Sequence, residues 1–271
     1  MKYLFIVFSL SLIIAEPLSG ADPVNELCPM SGKAANPDIA LNIGDDVVIF
    51  CCGGCANRFK GWEDQKKADF IMEQKAEVPL WRGFKKETLP KGWRLSDDGV
   101  LTHTKGGGDI VTVDQYHNFV LMLEWKISEG GNSGIFFRVD EDHDHVWQTG
   151  PEMQVLDNKA HENGMTPETS AGSNYALHAP SDDLTKSIGE WNKVKLVVDG
   201  SHVEHWLNGE KLLEYELWSE EWDDLVTKSK FKDMPDFGKN KKGHIALQDH
   251  GDIVSYRNIR VIRLNDSVTA E

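Results

Sequence analysis

The stretch NSGIFFRVDEDHDHVWQTGPEMQVLD, Asn132 to Asp157, decides how the chain is read. Two runs of strand-like alternation flank a loop crowded with Asp, Glu and His. Successive side chains of a strand point to opposite faces. Ile135, Phe137 and Val139 therefore fall on one face, and Gly134, Phe136 and Arg138 on the other. EMQVL behaves alike, with Met153 and Val155 inward and Glu152 and Gln154 opposite. If both strands share a sheet, Arg138, Glu152 and Gln154 gather on its non-core face. The plain alternative is scattered surface charge.

Outward from this stretch the same pattern recurs. GVLTHT, DIVTV and NFVLMLEWKIS are short alternating runs, and in the last of them Leu121, Leu123, Trp125 and Ile127 oppose Met122, Glu124 and Lys126. Gly106 to Gly108 read as a turn, because no helix follows to make a phosphate loop. WNKVKLVVDGSHVEHWLNGEKLLEYEL gives three strands joined by Asp199-Gly200 and Asn208-Gly209, both strong hairpin signals. Glu204 and Trp206 lie opposite Val203 and Leu207. Ser219 can cap a helix running to Phe231, with Glu220 and Glu221 at its positive end. In GHIALQDHG, Ile245 and Leu247 point one way, Gln248 and His250 the other. The polar segment from Asn158 to Lys186, holding Tyr175 and His178, is long for a compact domain and suits a loop over a binding site. Ten to twelve short strands with one helix predict a mainly β, two-sheet sandwich.

The chain has 271 residues and a net charge of −15. That balance argues against a basic nucleic-acid-binding surface. Residues 1–21 read as a signal peptide: Lys2, an apolar core from Leu4 to Ala15, and Ser19-Gly20-Ala21 as the cleavage site. The expectation is an exported protein, periplasmic or extracellular, with no integral membrane segment after cleavage.

All four cysteines fall between Cys28 and Cys55. In an exported protein an even count usually means disulfides. The Cys51-Cys52 and Cys52-x-x-Cys55 spacings nevertheless make poor local bridges and good thiolate claws. Cys28, then Cys51 or Cys52, then Cys55 would offer soft ligands for zinc or copper. CPMSGK followed by VVIFCCGGCANRF resembles the YHS/TRASH-type metal-binding modules, over about residues 25–72. The resemblance implies one Cys before a β-hairpin and a Cys cluster after it. Residues 22–77 are then a small Cys-rich α+β module with its linker, and residues 78–271 the sandwich.

The order NSGIFFR, GPEMQVLD, WNKVKLVVDGSHVEHWLNG, GHIALQDHGDIVSYRNIRV resembles the 3-keto-disaccharide hydrolase family, over about residues 78–264. One departure is Gly172-Ser173-Asn174-Tyr175, where family members often carry a GAIY-like stretch. The resemblance implies a concanavalin A-like jelly roll in an exported bacterial protein. It also implies cleavage of an oligosaccharide or glycoside already oxidised at C3, with a sugar 3-dehydrogenase acting upstream. A C3 ketone acidifies the C2 hydrogen, so a base, an oxyanion-stabilising charge and a proton donor suffice. On this reading Glu152 or His250 is the base and the other the donor, and Arg138 stabilises the enolate. Asn132, Gln154, Gln248 and Tyr175 bind substrate, and Trp206 stacks on a pyranose ring. Glu124 and Asp157 are carboxylates that could support or bind a divalent cation in the sandwich site. The competing readings are a non-catalytic carbohydrate-binding protein on the same fold, or a metal-sensing module with a docking sandwich.

Overall fold

The structure, a computed structural model, describes residues 22–264. The signal-peptide segment, residues 1–21, lies outside the described residues. The chain divides into two compact units, one up to Lys75 and the other from Ala76.

In the first unit, strands β1 (Asn36–Ile43) and β2 (Asp46–Phe50) form an antiparallel hairpin. Helices α1 (Gly53–Lys60) and α2 (Asp64–Lys75) follow. Phe59 thus sits on α1 and Phe70 on α2, with Trp62 in the turn between them, which opens at Gly61, the cap of α1. Their apolar sides close on Val48, Phe50, Phe59 and Ile71, with Cys28 and Cys55 in the same core. The Asn25 side chain ties the chain entering the unit to β2 by donating to the Ile49 carbonyl and accepting from its N–H.

The second unit is a two-sheet sandwich. Its strands are β3 (Trp81–Gly83), β4 (Trp93–Leu95), β5 (Leu101–His103), β6 (Ile110–Thr112), β7 (Phe119–Ile127), β8 (Asn132–Val139), β9 (Glu152–Leu156), β10 (Asn192–Asp199), β11 (His202–Leu207), β12 (Glu210–Glu216), β13 (His244–Leu247) and β14 (Val254–Arg263). One sheet has the order β12-β11-β10-β7-β14-β5-β4, the other β3-β6-β13-β8-β9. Both are antiparallel throughout. The core between them holds the residues that the alternation turns inward: Leu121, Leu123 and Trp125, Val194, Leu196 and Val198, Ile135 and Phe137, Met153 and Val155, Ile245 and Leu247. At the β11–β12 turn Asn208 and Gly209 both have positive φ, as a type I′ hairpin turn requires.

Helix α3 (Glu220–Lys228) is inserted between β12 and β13, and the Ser219 hydroxyl caps it by accepting from the Trp222 N–H. Trp222 is buried and stacks on Phe237 at 5.9 Å and on Tyr215 at 5.7 Å. The returning segment is therefore fastened to the core on both sides of residues 230–236. Among the described residues, no helix is long and apolar enough to cross a membrane.

One strand departs from simple alternation. Between β8 and β13, Phe136 pairs with Ala246 and Val139 with His244, so three residue steps on one strand face two on the other. This is a β-bulge, and Arg138 occupies it with φ +55. Past the bulge the faces exchange. Val139 joins Phe136, Val111 and Ala246 on the outer face, whereas Arg138 turns inward with Ile135 and Phe137.

Candidate functional site

The outer face of the five-stranded sheet carries a cavity of about 490 Å³. Its floor is the pair β8–β9, in register with Gly134 opposite Gln154 and Phe136 opposite Glu152. Glu152, Gln154, Asn132, Gln248, His250 and Tyr175, all expected at a site, line it together.

Glu152 is the most buried carboxyl in the cavity, at 8% exposed. Its Oε1 occupies the space that a β-carbon on Gly134 would fill, so the missing side chain at Gly134 makes room for it. Desolvation pushes its carboxyl up to about 8, against the pull of the Lys230 ammonium and with some help from the Asp109 charge. Asn132 is buried with its Oδ1 facing no protein donor, while its backbone N–H is taken by the Asp252 carboxylate at 3.0 Å. The Gln154 side chain donates to the Thr169 carbonyl at 3.3 Å.

Tyr175 reaches the cavity because the long polar segment adds to the free edge of β9. The Tyr175 N–H donates to the Glu152 carbonyl, Gln154 N–H to the Ser173 carbonyl, and Gly172 N–H to the Gln154 carbonyl. The Gly-Ser-Asn-Tyr departure thus still delivers its tyrosine to the site. His250 stands exposed at the mouth, with the His161 ring edge-on at 6.4 Å.

Further lining residues had no catalytic or substrate-binding role in the sequence reading: Asp109, Asp249, His145, Trp147, Lys230 and Met234. Asp109 ends the triple-glycine turn, and its Oδ1 accepts the Asp249 N–H at 2.9 Å. Desolvation raises the Asp109 carboxyl to about 6, opposed by that N–H and assisted by the Asp249 charge. Asp249 in turn accepts from Gly108 N–H and lies 3.0 Å from Nε2 of the fully buried His103, so the two loops are pinned together. Trp147 and His145 stack at 4.8 Å and 9°, a flat surface of the kind sugars pack on. The alternation of DIVTV already put Asp109 on the face of Val111. Lys230 and Met234 come from the irregular segment after α3, where no periodicity marks a facing.

Four expectations are corrected. Arg138 does not line the cavity: the bulge turns it into the interior, 1% exposed. There Nη2 donates to the Gly200 carbonyl at 2.7 Å and the guanidinium lies 5.1 Å from the Trp218 ring. Burial lowers it to about 10, and Nε and Nη1 face no protein acceptor. Trp206 belongs to the outer face of the other sheet, where Lys195 lies 3.6 Å over its ring and its Nε1 donates to Glu204. Glu124, also on that sheet, is paired with Arg257 at 2.7 Å. Asp157 is tied up at a turn, accepting from the Gly130 and Lys159 N–H groups. Neither carboxylate reaches the cavity, so these two do not fit a divalent cation there.

In the first unit the sulfurs of Cys28, Cys51 and Cys55 lie within 4.8 Å of one another and could hold a metal. Cys52 is exposed in extended conformation just before α1 and stands outside this trio. Burial works to raise the Cys28 thiol, yet the Cys51 backbone, the Ser31 hydroxyl and the Met30 backbone outweigh it and bring it down to about 6. Three soft sulfur donors this close together fit a thiophilic cation.

Residues 57–262 match the family model for the 3-keto-alpha-glucoside-1,2-lyase-like domain. The chain is 37% identical over 212 residues to a 3-keto-disaccharide hydrolase of Bacteroides thetaiotaomicron, covering 67% of this chain and 73% of that protein. It also resembles the crystal structure of a candidate glycosyl hydrolase from Parabacteroides distasonis, with 33% identity and a TM-score of 0.65 over 75% of this chain and 98% of the other. A second such structure from that organism gives 26% identity and a TM-score of 0.54 over 68% of this chain and 100% of the other.

Proposed function

The chain belongs to the 3-keto-alpha-glucoside-1,2-lyase-like domain family, and from that premise we propose that it cleaves 3-keto-glycosides by elimination across C1 and C2. The observation that carries this reading is the Glu152 carboxyl, buried and raised to about 8 at the floor of a cavity where Asn132, Gln154, Gln248 and Tyr175 also present amide and hydroxyl groups. A carboxylate poised near neutrality is matched to removing a proton already acidified by an adjacent ketone.

Glu152 takes the C2 proton, and the C2–H electron pair becomes the C2–C3 double bond of an enolate. The enolate then re-forms the C3 carbonyl, a C1–C2 double bond forms, and the C1–oxygen bond breaks. His250, at the mouth where an aglycone would leave, donates the proton that the departing oxygen needs. The products are the free alcohol and a 2-hydroxy-3-keto-glycal. Addition of water across C1 and C2 gives net hydrolysis. Asn132 Oδ1, Gln154, Gln248 and Tyr175 hold the sugar hydroxyls, and Trp147 supplies the stacking face.

In the same proposal Cys28, Cys51 and Cys55 hold zinc or copper, which would lock the small unit around its cysteines. The leader-like residues 1–21 support export to the periplasm or beyond, and an upstream dehydrogenase that oxidises C3 would supply the substrate.

The test is turnover. The full mature chain is incubated with a glycoside and with its 3-keto form, and the products are weighed by mass spectrometry. Release of aglycone from the keto form alone is the expected result. Binding of either sugar without cleavage would favour a lectin-like protein instead.

A further inference from the structure

The elimination needs a positive or hydrogen-bonding group at the C3 oxygen, where charge develops. Arg138, the obvious cation in the sequence, is turned into the interior by the β8 bulge. We propose that Lys230, carried by the segment after α3, binds the C3 oxygen and stabilises the enolate. This inference rests on the elimination reading above and adds a residue to it.

Lys230 is, among the described residues lining the cavity, the one lysine or arginine. Its Nζ lies 4.2 Å from the centre of the Tyr175 ring and 5.2 Å from that of Phe231, so aromatic faces hold it in place and leave its N–H donors free. It senses the base directly: the Lys230 ammonium pulls the Glu152 carboxyl down, and the Glu152 charge raises the ammonium in return, although desolvation of the lysine leaves it lowered overall. A cation and a base that feel each other across one cavity suit a keto sugar with its C2 hydrogen toward Glu152 and its C3 oxygen toward Lys230.

The placement is built into the fold. The next residue, Phe231, is 2% exposed and stacks on Phe237 at 3.9 Å. The Ser229 hydroxyl accepts the Phe231 N–H at 3.0 Å and donates to the Val226 carbonyl at 2.9 Å. The α3 insertion thus presents Lys230 from a fixed point above the floor made by β8 and β9.

The experiment compares the full mature chain with K230M and K230R on a 3-keto-glucoside carrying a chromogenic aglycone. It also follows deuterium uptake at C2 of the 3-keto 1,5-anhydro sugar, which has no leaving group. Exchange needs the base and the enolate-stabilising cation but no proton donor for an aglycone. The expected result is that K230M slows cleavage and exchange alike by about 100-fold in kcat, with KM changed less than about threefold, and that K230R recovers part of both. Thermal melting verifies that the variants are folded, as expected for an exposed side chain. If K230M raises KM alone and exchanges C2 at the wild-type rate, Lys230 is a binding residue and the proposal fails. A wild-type chain that neither cleaves nor exchanges overturns the elimination reading itself, and this inference with it.

Discussion

The Glu152 carboxylate lies over Gly134, in the volume that any side chain at that position would occupy. Gly134 is the third residue of β8, just before Ile135, Phe136 and Phe137, and pairs with Gln154, so its lack of a side chain opens the floor of the cavity at the proposed base. Gly134→Ala should displace the carboxylate and cut kcat by at least about tenfold, the scale expected when a catalytic group is moved by about an ångström. Steady-state kinetics beside a melting curve distinguishes this from unfolding.

Glu152→Gln should abolish turnover and stabilise the protein at alkaline pH. A carboxyl raised to about 8 in the fold contributes stability below its unfolded value of about 4.5, and that contribution is lost as pH rises through about 8. Glutamine removes the buried charge, so the melting temperature of E152Q should exceed that of wild type above pH 8 and approach it near pH 4. Retained turnover would remove Glu152 from the mechanism.

The same carboxyl sets the pH profile. As a base it must be ionised, so kcat/KM should rise with pH through about 8. The Asp109 charge contributes to that elevated value, so Asp109→Asn should move the rising limb to lower pH. The asparagine Oδ1 can still accept the Asp249 N–H, which keeps the loop in place.

Trp147 and Trp206 separate the two sheet faces experimentally. Trp147→Ala should raise KM about tenfold through loss of a stacking contact of roughly 1–1.5 kcal/mol, whereas Trp206→Ala should leave KM unchanged. Arg138→Met belongs with the second: it should lower stability by about 1–3 kcal/mol, from the lost hydrogen bonds to Gly200 and His117, while the folded fraction keeps its kcat. Denaturant midpoints with parallel kinetics give both numbers.

The cysteine trio predicts stoichiometric metal. Zinc or copper analysis should show one equivalent per chain, lost in C28S, C51S and C55S and kept in C52S. Equal retention in all four would rule out the trio as ligands.

Much of the architecture was legible in the sequence. Alternation marked which residues of β7, β9, β10 and β11, and of β8 as far as Phe137, face the core, Asp199-Gly200 and Asn208-Gly209 marked two hairpins, and Ser219 marked the start of α3. The same period-two rule placed Glu152 and Gln154 together, because on a regular strand facing follows from residue number alone; Gln248 and His250 lie past the end of β13 and reach the cavity with Asp249 between them. The rule failed where the strand is irregular. One extra residue at Arg138 reversed the facing of everything after it in β8, and a bulge leaves little trace in composition. It also could not say which outward face belongs to which sheet: Glu124 and Trp206 do point away from the core, but from the opposite layer. Lys230, Met234, His145 and Asp249 reach the cavity through loops and an insertion, whose course depends on buried anchors such as Phe231 and His103 that lie far from the floor in sequence. Local periodicity determined the strands and their faces; packing of distant segments decided which charges meet.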